Sequence, residues 1–460
     1  MLQQSSDLFQ DPKLPHLGAA TNPEIMAEMF AGKFRLTLAA QGLQVENCAI
    51  EWVQHRRGRR CRLLYRLDLR EASGKKFEQW FFGRLVREGQ AQRQYEQAPV
   101  SAPLPNGLWQ PVNLWPELEM IVWAFPHDPE MPGLAKAVDP VFVQARIEAN
   151  RQAWGLSAGW RCGKVAFERV KYMPGKRCVL RYEADLENQS GESRRLAFYS
   201  KTYSDGRSRS HYDNLQEIHA RLGDKINIPR PLLHVEEANT FWQEPWEGRA
   251  LIDLLDEWDW HELFPRLAKL LAAFHKSHYE GLPRVDVLER ALDSAQEDAQ
   301  VLGWLLPQYR SRCDEALAAL VGSKEILAKR ATPVAPFHGT FRIEQILARN
   351  DEIALVDFDG MALGDPLFDV AEFLTSLQYL EFSRGFARPR LAKASELFQE
   401  SYEQETPWKL APPRVAWYAV VSWLNKMHET LRRRDSGIIR KFDGIEGIME
   451  EWIDGINELT

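Results

Sequence analysis

The chain has 460 residues, 45% hydrophobic and 27% charged, so it can bury at least one large core and its length suggests two or three units. A formal net charge of -7 supplies no global field for drawing in nucleic acid or an anionic membrane. No apolar run is long enough to cross a bilayer, and the first residues lack a charged segment followed by an apolar one, so a cytoplasmic protein with no membrane or nucleic-acid partner is expected.

Residues 1–30 read as an N-terminal tail. After it, 31–135 carries a small sheet unit that recurs, without a gap, at an offset of 117 residues. Between 51–84 and 168–201, twelve of thirty-four positions are identical, among them Gly58 and Gly175, Cys61 and Cys178, and Tyr65 and Tyr182. Average composition would give roughly two. Each copy reads as strand, glycine turn, alternating strand, second glycine turn and third strand, the pattern of an antiparallel meander. The third strand reaches Arg84 in the first copy and Lys201 in the second. In the second copy, Leu215, Ile218 and Leu222 then predict a helix stopped at Gly223.

A linker helix is expected over 136–160, the second sheet unit over 161–247, and a mainly helical region over 248–460. The first copy is followed only by the linker, so it reads as a degenerate lobe without a large partner of its own. Cys48, Cys61, Cys162, Cys178 and Cys313 are odd in number and lack metal-ligand spacing, and they read as reduced thiols. The basic runs at 55–62 and 431–441 read as solvated charge.

Three linked motifs occupy 336–374: HGTFRIEQ (338–345), DFDG (357–360) after the apolar strand EIALV, and GDPLFDVAEF (364–373). In order and spacing this segment resembles the catalytic core of the aminoglycoside phosphotransferase and choline kinase families. The resemblance extends back through 161–335. It implies an α+β, protein-kinase-like two-lobe fold, here preceded by the degenerate copy of the small lobe, with ATP and Mg²⁺ as cofactors and a small hydroxylated acceptor.

By that resemblance Asp357 is the magnesium carboxylate and Gln345 completes its shell, Gln replacing the usual Asn as in maltose-kinase-like members. Mg²⁺ takes hard oxygen ligands and few of them from protein. Asp359 is either a second ligand or the organiser of its turn. Lys201 is assigned to the α- and β-phosphates with Glu217 as its acidic partner. Gly175 either lets its hairpin cover the phosphates or is a plain turn glycine, and the backbone from Glu244 to Trp246 is expected to hold the adenine. His338 is read as a loop brace, and Asp365 and Asp369 as residues that cap a helix and tie down the loop.

The departure from the pattern is Thr340, at the position of the family's catalytic Asp. A Thr hydroxyl is not an anion at neutral pH and is no general base. Three readings follow: a pseudokinase or weakly active protein that binds ATP–Mg²⁺ and acts through a protein partner, an active kinase of a small hydroxylated metabolite or sugar, or a nucleotide-free scaffold.

Overall fold

A computed structural model describes residues 10–98, 109–279, 281–439 and 441–458. The chain divides into two compact units. Met1–Tyr212, Leu232–Glu244 and Arg432–Arg434 form the first; Asp213–Pro231, Pro245–Leu431 and Asp435–Thr460 form the second.

The first unit holds two five-stranded antiparallel sheets of identical order. One runs β1 (Leu43–Arg56), β2 (Arg60–Glu71), β3 (Lys76–Val86), β5 (Met120–Ala124), β4 (Val112–Trp115). The other runs β6 (Arg161–Met173), β7 (Arg177–Glu187), β8 (Ser193–Tyr203), β10 (Thr240–Gln243), β9 (Pro231–Val235). The segments WFFGRL and AFYSKTY are third in the chain order of their sheets, and the pairing keeps the sequence offset: Arg60 faces Val86 where Arg177 faces Tyr203. Gly58 and Gly175 make the first turn at φ 61° and 67°, a left-handed conformation that favours glycine. Between the third and last strands lies α4 (Ala91–Glu96) in the first sheet and the longer α7 (Ser208–Leu222) in the second. One apolar cluster runs through both sheets, with Trp52, Leu64 and Trp80 of the first joined to Tyr182, Phe198 and Trp242 of the second.

The correspondence begins earlier than the sequence reading placed it. Helices α1 (Leu17–Ala20), α2 (Pro23–Lys33) and α3 (Arg35–Ala40) precede the first sheet, whereas α5 (Leu134–Ala137) and α6 (Pro140–Ala149) precede the second. α1 and α5 start 117 residues apart, as do α2 and α6, and the side chains of Asn22 and Asp139 accept backbone N–H groups at the starts of α2 and α6. The Tyr65 hydroxyl donates to the Ala20 carbonyl at 2.8 Å and the Tyr182 hydroxyl to the Ala137 carbonyl at 2.5 Å. Further upstream, Asp11 accepts the Gly58 amide at 2.6 Å and Asp128 accepts the Gly175 amide at 2.8 Å. The supposed tail over 1–30 therefore contains, from Asp11 on, the counterpart of the segment opening at Asp128; residues 1–9 lie outside the described ones. The expected boundary at 31 falls inside α2 and the one at 136 inside α5, whereas 161 coincides with the start of β6.

The second unit is mainly helical: α8 (Trp260–His275), α9 (Val287–Leu305), α10 (Arg310–Lys329), α11 (Leu367–Gln378), α12 (Leu380–Ser383), α13 (Arg388–Glu405), α14 (Pro412–Arg432), α15 (Ser436–Ile439) and α16 (Phe442–Asn457). It also holds β11 (Arg249–Ala250), β12 (Ala335–Phe337), the hairpin β13 (Ile346–Arg349) and β14 (Glu352–Leu355), and β15 (Ala362–Gly364), which pairs with β12. α8 packs along α13 and α9 along α10, and α11 is almost wholly buried. The chain is thus α+β, with antiparallel sheets in one unit and a helical second unit. Among the described residues no helix is long and apolar enough to cross a membrane.

Candidate functional site

Strand β12 delivers the chain to His338, and the loop that follows is fixed from below. Asp369, fully buried in the first turn of α11, accepts the backbone N–H groups of His338 at 2.5 Å and Gly339 at 2.8 Å. Its second support is His275, whose Nε2 lies 3.1 Å away while Nδ1 meets the Tyr402 hydroxyl at 2.7 Å. A buried carboxylate needs such partners, and these lock the loop backbone. Asp365 accepts the Leu367 amide, the Arg414 guanidinium at 2.7 Å and the Tyr418 hydroxyl at 3.0 Å, which anchors the start of α11.

The first two motifs meet backbone to backbone. Gly339 has φ +80°, and a Cβ there would lie 2.5 Å from the Gly360 carbonyl oxygen; a Cβ on Gly360 would lie 2.8 Å from the His338 carbonyl oxygen. Only two glycines allow this approach. His338 is buried, with Nε2 3.2 Å from the Val356 carbonyl and Nδ1 3.3 Å from the Thr340 hydroxyl. A carbonyl can only accept, so Nε2 carries the proton and Nδ1 of a neutral ring accepts from Thr340. The Thr340 oxygen keeps lone pairs that can accept from another hydroxyl, but no negative charge.

The β13–β14 hairpin sets the Gln345 backbone opposite Val356, the residue before Asp357. Ile346 pairs with Leu355, and just beyond the ladder the Val356 amide donates to the Gln345 carbonyl at 3.0 Å. Asp357 itself is left-handed, at φ 69° and ψ 56°, a strained conformation for a residue other than glycine. Asp359 follows in the turn Phe358–Gly360. Among the described residues no cluster of three or more His, Cys, Asp or Glu side chains is assembled. The carboxylates of Asp357 and Asp359 and the amide oxygen of Gln345 are hard oxygen donors, the chemistry that would fit a cation such as Mg²⁺, which keeps waters and takes further oxygens from phosphates.

Next to this loop is a cavity of about 200 Å³, lined by Phe337, Gly339, Arg342, Phe368, Glu372 and Ser422 among others. Arg342 pairs with Glu372, which also accepts from the Ser422 hydroxyl at 2.7 Å. The cavity wall comes from α9, α11 and α14 together with Phe337, Gly339 and Arg342. Arg342, Glu372 and Ser422 were not singled out from sequence; an Arg two residues after Thr340 was the available signal.

The remaining predicted residues divide between the units. Lys201, on β8 opposite Val179 and Phe241, is 8% exposed and holds the place in its sheet that Arg84 holds in the other. Gly175 belongs to the same unit, but its amide is taken by Asp128, and a Cβ on it would lie 2.5 Å from the Glu130 carboxylate. That amide serves a protein carboxylate. Glu244 follows β10 in the first unit. Glu217 and Trp246 lie in the second unit: Glu217 pairs with Arg221 one turn along α7 at 2.6 Å, and the Arg349 guanidinium lies 5.1 Å from the centroid of the Trp246 ring.

Comparison with curated protein sequences finds no match. Among solved structures, choline kinase from Cryptosporidium parvum Iowa II aligns at 11% identity over 70% of this chain and 99% of its own, with a TM-score of 0.47. A choline kinase from Streptococcus pneumoniae aligns at 14% identity over 69% and 98%, with a TM-score of 0.44. A thermostable aminoglycoside phosphotransferase in a ternary complex with ADP and hygromycin B aligns at 15% identity over 68% and 97%, with a TM-score of 0.43. The model of the phosphotransferase enzyme family matches residues 181–410, which include the sequence from β7 through the Gln345 and Asp357 motifs to the end of α13. With half of its length so matched, the chain belongs to the phosphotransferase enzyme family.

Proposed function

We propose that the protein binds ATP–Mg²⁺ and transfers phosphate slowly, as a pseudokinase or weakly active kinase. Asp357, with Gln345 and Asp359, would hold the metal, and Lys201 would offset phosphate charge; the bound metal would neutralise charge on the transferred group. The chain's own contribution is positioning: Asp369 fixes the loop, and the glycine pair sets it against the metal-binding turn. The observation that supports the reading is the Thr340–His338 hydrogen bond at 3.3 Å, made by a neutral hydroxyl at the position that the resemblance assigns to the family's base. Such a hydroxyl can orient an acceptor but cannot take its proton as an anion would, and general-base help is worth roughly 10²–10⁴ in rate.

Calorimetry with ATP in the presence and absence of Mg²⁺ tests it. One magnesium-dependent site per chain with little turnover is expected; no nucleotide binding up to millimolar concentration would leave a scaffold. The matching sheet orders and the fixed offset support a duplicated small lobe, of which only the second copy precedes a motif region that can supply metal ligands. A second reading, an active kinase of a small hydroxylated metabolite, is favoured by the cavity beside Gly339. Its size is below the roughly 300–1,000 Å³ of sites for drug-sized ligands, so the acceptor would be small.

A further inference from the structure

In the first sheet, Arg84 stands where the second has Lys201, and it does not stand alone. Glu130, from the segment leading into α5, receives Arg62 Nη2 at 2.5 and 2.6 Å on its two oxygens and Arg84 Nη2 at 2.7 Å. The Arg62 and Arg84 side chains are 8% and 15% exposed, and the Nε of each is buried with no hydrogen-bond partner among the described residues. Each guanidinium reaches the carboxylate through one Nη2, so two cations converge on one pair of oxygens, an arrangement that suits carboxylate and phosphate alike. The unused Nε donors could serve additional acceptor oxygens, which a carboxylate lacks and a tetrahedral anion has.

We propose that Arg62 and Arg84 form a binding site for a compact phosphate-class anion, filled in the resting chain by its own Glu130 acting as an internal phosphate mimic. The site does not take a nucleotide. The face beside Arg84 is closed by the rings of Phe82 and Trp123, stacked at 5.2 Å with 0% and 3% exposure, and the Arg84 guanidinium lies 4.9 Å from the Trp123 ring centroid, so no slot is left for a base. The same carboxylate covers the Gly175 turn of the second sheet, where a Cβ would lie 2.5 Å from Glu130 Oε2. An anion that displaces Glu130 therefore uncovers that turn. The site rests on sheet register and arginine geometry and is independent of nucleotide binding.

Glu130→Gln tests it, because it leaves the two guanidiniums without a counter-charge. With inorganic phosphate as the probe, the thermal midpoint of the variant should rise by at least about 2 °C more than that of the unmodified protein. The extra rise should vanish in the Glu130→Gln, Arg84→Met double variant, and adenosine should add nothing to it. Phosphate binding through Lys201 would shift all three proteins alike, so a failure of the nucleotide reading leaves the difference readable. If Glu130→Gln does not fold in anion-free buffer, recovery of the fold on adding phosphate supports the site, and no recovery overturns it. A phosphate response equal to that of the unmodified protein, or one that survives loss of Arg84, also overturns it.

Discussion

The Thr340 hydroxyl lies 3.3 Å from Nδ1 of His338, on a loop whose two preceding amides are held by the Asp369 carboxylate. On the proposed reading, the loop that would carry a catalytic carboxylate at 340 is held in place and lacks only the charge. Thr340→Asp should raise ATP hydrolysis or transfer to a small hydroxylated acceptor by at least about tenfold, within the range assigned to acid–base help. Steady-state rates of the two proteins at saturating ATP decide it. An unchanged rate, with nucleotide affinity preserved, would mean that proton removal is not the defect.

Asp357→Ala separates metal from nucleotide. If Asp357 is the principal metal oxygen, its loss should abolish the difference between ATP affinities measured with and without Mg²⁺, since the neighbouring amide of Gln345 cannot replace a carboxylate. Titration calorimetry under both conditions checks this. Alanine is no better suited than aspartate to the left-handed φ of 69°, so the backbone strain at 357 persists in the variant and offsets none of any stability loss.

Two carboxylates at equivalent places should respond oppositely to acid. At Asp11, burial opposes ionisation, but the amides of Gly58 and Lys13 and the His55 ring outweigh it and hold the pKa below its usual 3.8. At Asp128, burial dominates over the amides of Gly175 and Glu130 and the Tyr172 hydroxyl, and the pKa is raised. Asp11 thus contributes stability that is present above the unfolded value and lost as pH falls through its lowered pKa; the Asp128 contribution is present below the unfolded value and lost as pH rises through its raised one. Urea midpoints from about pH 3 to 7 should show the advantage of the unmodified protein over Asp11→Asn shrinking on acidification, and its advantage over Asp128→Asn growing.

Sequence pattern carried the parts of this architecture that repeat identity or strict alternation writes down. Twelve matches between 51–84 and 168–201 were enough to anticipate two like sheets, and the linked motifs at 338–373 to anticipate the family. The start of the repeat at Asp11 was missed because DPKLPHL and DPEMPGL share only Asp, Pro, Pro and Leu, and what relates them is a carboxylate on a glycine amide far along the chain. Glu130 was invisible for a similar reason: its partners Arg62 and Arg84 are 68 and 46 residues away. Glu217, the acid expected to partner Lys201, has Arg221 one turn on, a local pair legible from the i, i+4 spacing.

The loop's rigidity yields the last prediction. Asp369 supports three donors at once, the amides of His338 and Gly339 and the His275 ring, all buried around a fully buried carboxylate. Asp369→Asn keeps the size but turns one acceptor oxygen into an NH₂ group facing a donor. Hydrogen bonds to a charged group are worth about 1.5–3 kcal/mol each, and a buried donor left unmatched adds its own desolvation cost. A loss of about 3 kcal/mol or more in unfolding free energy is expected. Gly339→Ala should act on the same loop by another route, since its Cβ would sit 2.5 Å from the Gly360 carbonyl and its φ of +80° is strained for alanine; about 2–4 kcal/mol follows. Because Gly360 belongs to the turn after Asp357, Gly339→Ala should also weaken the magnesium dependence of ATP binding, whereas Asp369→Asn should disturb the Thr340 side first. Urea unfolding together with calorimetry in the presence and absence of Mg²⁺ separates the two. Equal losses of stability with magnesium dependence untouched in both would show that the loop and the metal-binding turn are not coupled through the glycine contact.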